Sequence, residues 1–297
     1  MDSGLVLEFY GFEPRFTVAL SLDEVRGLVG ACGSSATVNL GLSRVRVEGG
    51  VCGFRLGSRF FSVDELLEVS RGLDSRSILV YVEGLGFVRA EMWWGRFYKL
   101  VNVPGGAPTL EIDGIHMHRV EEVTPWEDAR LKVGVLGVRR GSRVLDVCTG
   151  LGYTAINALR MGASEVHTIE VDENVLSMAE LNPWSSELSS DNIRLILGDA
   201  LEVLDELEEE SYTHIVHDPP RLSKSTGELY SLELHRKLYR LLKPGGRLYH
   251  YTGEPGRTRG ANTPAKIASR LRQAGFQVRG YDERAQGIIA FKPGKPS

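Results

Sequence analysis

The chain has 297 residues, of which 42% are hydrophobic and 25% charged, and its formal net charge is −4 at pH 7. This length allows one large domain or two modest ones, and the negative net charge excludes a protein that coats nucleic acid through charge alone. No apolar run approaches the roughly 18 residues of a membrane span, and the first residues lack a basic signal region, so we expect a cytoplasmic protein without a membrane partner. The cysteines are too few and too scattered to predict a disulfide framework or a zinc site: Cys32, Cys52 and Cys148.

Residues 1–122 are predicted to form a smaller, β-rich α+β domain. Two short helices are expected after Ser21 and Ser62, because each serine is followed by acidic residues in the first turn, which is the pattern of a helix N-cap. The other runs combine strand-forming residues with glycine punctuation. They are LVLEFYGF, SRVRVEGGVCGFRL, SILVYVEGLGFVRAEMWW and FYKLVNV.

From residue 123 to residue 297 the pattern changes to strands that alternate with helices. A helix is predicted to begin at Pro125, with Thr124 as its N-cap. Alternation of this kind predicts a doubly wound, parallel α/β sheet, and the last two runs are close enough in sequence to form an antiparallel hairpin. The predicted strands are RVLDVC, EVHTIEV, IRLILGD, THIVHD, GRLYHYTG, FQVRGYDE and GIIAFKP.

The segment VLDVCTGLGYTA, residues 144–155, carries the strongest motif. An apolar strand ends near Asp146, and Gly150 and Gly152 then lead into a helix. Glycine lets the backbone approach a ligand and take positive φ, while the helix N-terminus offers free N–H groups. A dinucleotide site requires a third glycine, in the pattern Gly-x-Gly-x-x-Gly. Here that glycine is missing and an acid precedes the loop, so we expect a cationic or amino-bearing ligand.

Acidic residues also end the next three strands of the predicted sheet. Glu170 lies about twenty residues after Gly150, where an acid commonly holds ribose hydroxyls. Asp199, within Gly198-Asp199-Ala200, follows the third strand and can accept a hydrogen bond from an adenine amino group. Asp218 follows the fourth strand. Open α/β sheets bind ligands at the carboxyl ends of their strands, so we expect the four acids to converge, although any one alone reads equally as a solvated strand-end residue.

The fourth strand is halted by the sequence His217-Asp218-Pro219-Pro220-Arg221. Neither proline can donate a backbone hydrogen bond. This corner is therefore either a rigid turn at a strand end or a fixed row of acceptors that faces a ligand. His217, the last residue of the strand, is expected to be structural rather than catalytic.

These motifs resemble those of class I S-adenosylmethionine-dependent methyltransferases, whose first loop has the form acid-x-x-x-Gly-x-Gly. The resemblance extends from about residue 124 to the C-terminus. It implies a Rossmann-like seven-stranded sheet with a terminal antiparallel hairpin, and S-adenosylmethionine as the cofactor. Glu170 would hold the ribose hydroxyls and Asp199 the adenine. The implied cofactor contacts are Asp146, Thr149, Gly150, Gly152, Tyr153, Glu170, Val171, Gly198, Asp199 and Ala200.

In amino-directed members of that superfamily, an Asp/Asn-Pro-Pro-aromatic motif binds a planar exocyclic amine. By this resemblance the Asp218 carboxylate and the Pro219 carbonyl would each accept an N–H. Pro220 would help to keep the corner rigid, so that geometry carries the rate. Arg221 departs from the pattern, because an aromatic residue normally stacks on the base at that position. Its guanidinium can stack in a similar way or hold a phosphate.

From about Gly95 onward the chain resembles an archaeal methyltransferase family associated with N4-methylation of a ribosomal RNA cytosine. This implies an RNA substrate, which the N-terminal domain would help to bind. Residues 236–297 contain 14 Lys or Arg residues against 3 acidic ones, which is a candidate polyanion-facing surface. The aromatic run EMWWGRFYKL either stacks on unpaired bases or lies in the core of the β-rich domain. The predicted substrate contacts are His217, Arg221, Arg257 and Arg259.

Other functions stay open at this point. A polyamine aminopropyltransferase-like enzyme shares the fold, but that class needs an acidic pocket and shows Gly-Gly-Gly-Asp in its first loop. A small-molecule methyltransferase and a non-catalytic RNA-binding module are further alternatives. Carbon-5 methylation of pyrimidines is disfavoured because it needs a cysteine nucleophile, and the catalytic half has only Cys148, inside the cofactor loop. No metal site is predicted, since His116 and His118 have no third ligand near them in sequence. The sequence does not predict an oligomeric state.

Overall fold

A computed structural model describes residues 7–223, 226–253 and 263–294 of the chain. It divides into two compact units. The first unit is made from residues within 1–11, 127–173 and 188–297, and the second from residues 12–126 and 174–187. The main division between the units therefore falls after residue 126 rather than after residue 122. In addition, residues within 1–11 belong to the first unit and residues 174–187 to the second. As functional domains, 1–122 and 123–297 remain predictions.

The described residues form the following helices and strands. The strands are β1 (Glu8–Phe9), β2 (Val18–Ser21), β3 (Ser35–Val38), β4 (Ser43–Arg46), β5 (Gly53–Leu56), β6 (Arg59–Ser62), β7 (Ile78–Val82), β8 (Gly86–Arg89), β9 (Glu91–Trp94), β10 (Arg96–Val101), β11 (Thr109–Ile112), β12 (Ile115–His116), β13 (Arg143–Val147), β14 (Glu165–Glu170), β15 (Ile193–Leu197), β16 (Tyr212–His217), β17 (Leu242–Tyr251), β18 (Gln277–Asp282) and β19 (Gly287–Phe291). The α-helices are α1 (Leu22–Val29), α2 (Val63–Val69), α3 (Pro125–Leu136), α4 (Tyr153–Arg160), α5 (Glu173–Glu180), α6 (Ala200–Glu206), α7 (Leu232–Leu241) and α8 (Thr263–Gln273). Short 3-10 helices span Pro183–Ser189 and Gly227–Tyr230.

The first unit is built on an eight-stranded sheet in the order β1-β15-β14-β13-β16-β17-β19-β18. The five strands from β15 to β17 run parallel, whereas β19 and β18 form an antiparallel hairpin at one edge. Parallel neighbours need long crossover connections, which the alternating sequence pattern supplies. The predicted α/β fold, with a doubly wound parallel sheet and a terminal antiparallel hairpin, is confirmed.

The strand β1 adds an eighth member to the seven predicted strands. The sequence predicts a strand in LVLEFYGF but assigns it to the N-terminal domain, whereas the structure pairs it with β15 of the large sheet. Glu8 lies opposite Leu197 in an antiparallel register, and the Tyr10 N–H donates to the Leu195 carbonyl at 2.9 Å. This pairing covers an edge whose N–H and C=O groups would otherwise lack strand partners.

Helix α7 shows how the crossover helices pack on this sheet. Ser231 is its N-cap, and the Ser231 hydroxyl accepts a hydrogen bond from the Leu234 N–H at 3.0 Å. Leu234, Leu238 and Leu241 recur at helical spacing and are fully buried. They join the strand residues of one hydrophobic cluster, so burial of this apolar stripe supplies most of the stability of the helix.

The second unit contains small antiparallel sheets rather than one large one. Strands β2, β7 and β8 form one sheet, β9 to β12 form another, and β3–β4 and β5–β6 are hairpins. Phe61 lies at the centre of its core, with ring centroids 5.3 Å from Phe54 and 5.1 Å from Tyr81. The two predicted helices are present, and Ser21 forms a capping box with Glu24 at the start of α1.

The cysteine prediction was wrong for one pair. Cys32 and Cys52 form a disulfide in the second unit, with their Cα atoms 5.4 Å apart and a sequence separation of 20 positions. No spacing motif marks this pairing, because the two residues are distant in sequence and meet only in the folded unit. In the described residues, no helix is both long and apolar enough to cross a membrane.

We expect the Cys52→Ser variant to unfold more easily under oxidising conditions. A bond that closes a loop of this length restricts the unfolded chain and contributes about 3 kcal/mol to the free energy of unfolding. Urea denaturation of the full chain, followed by circular dichroism, measures the loss. The difference between variant and wild type should disappear in a reducing buffer, and an equal difference in both buffers would contradict the contribution of the disulfide.

Candidate active site

The glycine loop joins β13 to α4 in the first unit. Gly150 and Gly152 have φ of +54° and +77°, and Cys148, which is not a glycine, also has a positive φ of 76°. A Cβ added at Gly152 would lie 2.5 Å from a methyl carbon of Leu188, so both the backbone conformation and the space require glycine there. Gly152 is the N-cap residue of α4 and offers no side-chain cap. The first N–H groups of this helix therefore face the loop.

Asp146 lies below this loop, completely buried in β13. Its Oδ2 accepts a hydrogen bond from the Thr168 hydroxyl at 2.8 Å, and the Thr168 and Thr149 hydroxyls are 2.6 Å apart. Its Oδ1 is buried and accepts no hydrogen bond from the part of the chain that the structure describes. Burial raises the pKa of Asp146 to about 7. A buried carboxylate oxygen without a donor fits a bound ammonium or hydroxyl group.

Glu170, the last residue of β14, is fixed by the backbone around it. Its Oε2 accepts from the Gly150 N–H at 2.8 Å, and its Oε1 accepts from the N–H groups of Val171 and Asp172 at 3.0 and 3.1 Å. Three such bonds hold the carboxylate against the glycine loop and leave Oε2 a lone pair for a further donor. Burial nevertheless raises the pKa of Glu170 above its usual value.

Asp199, which is predicted to contact the adenine, also has a structural role in α6. It is the N-cap of α6, and its Oδ1 accepts from the Leu201 N–H at 2.8 Å. The residue is exposed, so its second oxygen can serve a ligand. Gly198, just before it, is tied to β14 by an N–H bond to the Glu170 carbonyl at 2.8 Å.

All four acids influence one side chain electrostatically, the thiol of Cys148. Burial raises the pKa of this thiol well above its ordinary value, and the carboxylates of Glu170, Asp218, Asp146 and Asp199 each raise it further. The acids therefore lie near enough to act on a common group, while their convergence on one ligand stays a prediction. A thiol in such surroundings stays protonated and is a poor nucleophile, in agreement with the expectation that Cys148 does not attack a pyrimidine ring.

Asp218, at the carboxyl end of β16, is engaged by a residue that the sequence analysis missed. Lys132 of α3 donates through Nζ to both carboxylate oxygens of Asp218, at 2.8 and 2.7 Å. The same Nζ lies 2.7 Å from Asp128 Oδ2 and 4.4 Å from the centre of the Tyr251 ring. Asp128 and Lys132 are four residues apart, and therefore on one helix face, but nothing in that spacing points to Asp218.

Lys132 and Asp218 each shift the pKa of the other. Burial lowers the pKa of Lys132, but the carboxylates of Asp218 and Asp128 outweigh it and raise the pKa overall, so the lysine stays protonated. Burial raises the pKa of Asp218, while Lys132 opposes that rise. Each Asp218 oxygen uses one lone pair for Lys132 and keeps another for a second donor.

The diproline corner beyond Asp218 is fixed from one side. The Tyr230 hydroxyl donates to the Pro220 carbonyl at 2.8 Å. Pro219 is buried and Pro220 exposed, and among the described residues no donor reaches the Pro219 carbonyl. The Pro219 carbonyl therefore keeps its lone pairs for a donor other than these residues.

The remaining predicted residues fall into three groups. Thr149, Tyr153 and Ala200 are buried at the edges of the loop and of α6, while Val171 is 65% exposed. Arg221 is exposed at the end of the corner. His217 is fully buried beneath it, which fits the expected structural residue and does not fit the substrate contact also predicted for it. Arg257 and Arg259 lie outside the described residues.

Comparisons with known proteins agree with this geometry. The family profile described as "Methyltransferase domain" matches residues 144–246, which run from β13 into β17. The chain is 48% identical over 198 residues to the uncharacterized protein MJ1233 of Methanocaldococcus jannaschii, an overlap that covers 66% of this chain and 67% of that protein. The chain belongs to the family of MJ1233. It is an S-adenosylmethionine-dependent methyltransferase of the class I fold.

Two further matches are more distant. The methyltransferase is 29% identical over 119 residues to ribosomal RNA large subunit methyltransferase I of Aeromonas hydrophila, which is 38% of this chain and 30% of that protein. It thus spans less than a third of that relative. Spermidine synthase from Thermotoga maritima superposes with a TM-score of 0.55 at 16% identity, over 68% of this chain and 71% of that one. This likeness shows the fold alone.

The residues of the methyltransferase fit its cofactor, S-adenosylmethionine, whose sulfonium supplies a transferable methyl group. The unpartnered Asp146 Oδ1 is suited to the amino group of the methionine part. Glu170 Oε2 is suited to a ribose hydroxyl and the second oxygen of Asp199 to the adenine amine. These three assignments remain predictions.

We expect the Glu170→Gln variant to bind S-adenosylmethionine at least about tenfold more weakly, because hydrogen bonds to a charged acceptor contribute roughly 1.5–3 kcal/mol. Isothermal titration calorimetry measures the affinity. Glu165→Gln is the matched control, since Glu165 lies on the same strand at its opposite, amino end. Equal affinity in the wild type and in Glu170→Gln would contradict the assignment.

We also expect the affinity for S-adenosylmethionine to depend on pH. Asp146 ionises as the pH rises through about 7 in the free protein, and only the ionised carboxylate attracts an ammonium group. The affinity should therefore rise several-fold as the pH goes from about 6 to about 7, below the pKa of about 7.7–8 of an α-amino group, and Asp146→Asn should abolish that rise. The same pH dependence in both proteins would show that Asp146 does not bind the amino group.

Proposed function

We propose that this methyltransferase transfers a methyl group to an uncharged exocyclic amine of RNA, with N4 of a ribosomal RNA cytosine as the foremost candidate. The observation that carries the proposal is the ion pair between Lys132 and Asp218. A fixed ammonium already neutralises the carboxylate that would receive the acceptor. A second cation would be repelled there, whereas a neutral amino group can use the remaining lone pairs of Asp218.

The corner can orient such an amine. One N–H would donate to the Asp218 carboxylate and the other to the Pro219 carbonyl. This arrangement would point the nitrogen lone pair away from both acceptors, toward the glycine loop. Lys132 and Tyr230 fix the two sides of the corner, so the amine meets a preorganised site, and positioning supplies much of the rate.

The proposed site also offers an acceptor for the proton that the nitrogen loses on methylation. When the nitrogen gains a methyl carbon, the carbon–sulfur bond breaks and the nitrogen must lose one proton. Asp218 lies beside that nitrogen in the proposed pose. Its pKa is raised by burial, which favours its accepting the proton, while Lys132 stays charged and cannot act as the base.

Three features support RNA as the molecule that carries the amine. Residues 236–297 are strongly basic, with 14 Lys or Arg residues against 3 acidic ones. Trp93 and Trp94, on β9 of the second unit, are each 70% exposed. This exposure removes the alternative that these two indoles are core residues and suits stacking on unpaired bases. The Aeromonas relative is named as a ribosomal RNA methyltransferase.

The alternatives fit the site less well. A polyamine acceptor is a polycation, and the buried Lys132 ammonium stands where one of its charges would be needed. A small-molecule methyltransferase would not require the basic C-terminal quarter or the exposed indoles. A binding module without catalysis would not need the buried, unpartnered oxygen of Asp146.

Nucleoside analysis tests the proposal directly. Ribosomal and transfer RNA from a deletion strain would be digested and compared with wild type by mass spectrometry, together with the polyamine pool. We expect the loss of one methylated cytidine, restored when the purified enzyme and S-adenosylmethionine are added to RNA from the deletion strain. Changed polyamines with unchanged RNA would overturn the proposal in favour of aminopropyl transfer.

We expect Asp218→Ala to reduce methyl transfer by at least about a hundredfold, because the loss of a group that orients and stabilises the reacting centre typically costs that much. Binding of S-adenosylmethionine should remain within a few-fold of wild type. Tritium transfer to RNA and calorimetry measure the two properties. Asp205→Ala is the matched control, since Asp205 forms an exposed ion pair with Lys237 on α7. Normal turnover of Asp218→Ala would refute the role of the corner.

A further inference from the structure

Three histidines from three different elements meet beneath the diproline corner. His217 is the last residue of β16, and His250 is its register partner on the parallel strand β17. His235 comes from α7, which packs on the same part of the sheet. All three side chains are completely buried. We call them the histidine cluster.

Most ring nitrogens of the histidine cluster have no hydrogen-bond partner among the described residues. Both nitrogens of His217, both of His235 and the Nε2 of His250 are buried without a hydrogen bond among the described residues. A buried polar atom left unsatisfied typically costs about 1–3 kcal/mol, and native structures contain few of them. A neutral imidazole has one lone-pair nitrogen and one N–H, so these three rings offer three lone pairs in one place, and a bound group that accepts them would satisfy them.

One tautomer in the cluster is fixed by its partner. The His250 Nδ1 lies 2.8 Å from the Tyr251 carbonyl oxygen. A carbonyl can only accept, so Nδ1 carries the proton and Nε2 presents its lone pair. This is the arrangement of a metal-binding histidine, whose second nitrogen donates to a backbone carbonyl.

The geometry of the cluster suits a single small ion. One ligating nitrogen from each ring lies within 4.8 Å of the other two, and the ring centroids of His217 and His235 lie 4.4 and 5.0 Å from that of His250. Three imidazoles on one tetrahedral ion have nitrogens about 3.3 Å apart, which small ring rotations can reach.

We propose that His217, His235 and His250 bind one divalent transition-metal ion of the zinc type. Neutral imidazole is a preferred ligand of zinc, and three histidines leave a fourth tetrahedral position for water. The sequence analysis predicted no metal because the three residues are 18 and 15 positions apart in sequence and form no spaced motif. Only the sheet register and the packing of α7 bring them together.

The site has a structural consequence for the neighbouring corner. His217 immediately precedes Asp218, so an ion on His217 would tie the end of β16 to β17 and α7. The ion would thereby hold the diproline corner in place without contacting a substrate, and the three histidines would be positioning residues. This inference does not depend on the acceptor being RNA.

Metal analysis of the full chain, purified without a histidine tag, is the first test. We expect about one equivalent of zinc by plasma mass spectrometry in the wild type, and a loss of most of it in His235→Ala. His214→Ala is the matched control, because His214 is also buried and lies three residues before His217 on β16. It should retain the metal. Equal zinc in His235→Ala and wild type would overturn the proposal.

A second measurement uses the wild type alone and so does not depend on whether a variant folds. Chelated protein would be titrated with Co²⁺, and we expect the visible absorption of tetrahedral cobalt to saturate at about one equivalent. The melting temperature should rise on metal addition and fall again with chelator. No cobalt spectrum and no thermal shift, or a crystal structure with a water molecule joining the three rings, would overturn the proposal.

Discussion

A buried ammonium between two carboxylates is the interaction on which the proposed acceptor site of this methyltransferase depends. Lys132 contributes the charge, and Asp128 and Asp218 enclose it. Removing one partner from such a buried ion pair leaves an uncompensated charge and typically lowers the free energy of unfolding by about 3–5 kcal/mol. The three side chains are therefore held in one arrangement. It connects α3, which begins the catalytic half, to the end of β16. In the proposed function it also sets the character of the acceptor site, since an acidic corner that already holds a cation would favour a neutral amine.

The parallel sheet places the rest of the site around that group. Strands β13, β14 and β16 lie side by side in register, so Asp146, Glu170 and Asp218 face a common edge. The positive φ values of the glycine loop let the backbone pass close to this edge. Clustered carboxylates repel one another and raise the pKa values of their neighbours, as Cys148 shows. A cationic sulfonium cofactor with an amino group relieves that repulsion.

The fold and most of the acids could be predicted from the sequence. Alternating strands and helices predicted the doubly wound sheet, Ser21 and Ser62 marked helix starts, and the acid-and-glycine spacing indicated the cofactor loop. Asp146, Glu170, Asp199 and Asp218 were singled out as candidates because each lies at or near the end of a recognisable strand. Local patterns of this kind are set by hydrogen bonding and side-chain periodicity within a few residues, which a single sequence displays directly.

Other features were decided only by the tertiary structure. The sequence placed β1 in the wrong unit, missed the Cys32–Cys52 disulfide and gave no sign that Lys132 meets Asp218, 86 residues away. It also did not show that His217, His235 and His250 are neighbours, because they lie on three different elements that come together only in the fold. These contacts join residues distant in the chain, and their energy comes from burial and charge pairing that exist only once the sheet has formed. The sequence by itself therefore determined the elements and the order of the acids, whereas folding decided which charges are paired and which buried nitrogens remain for a ligand.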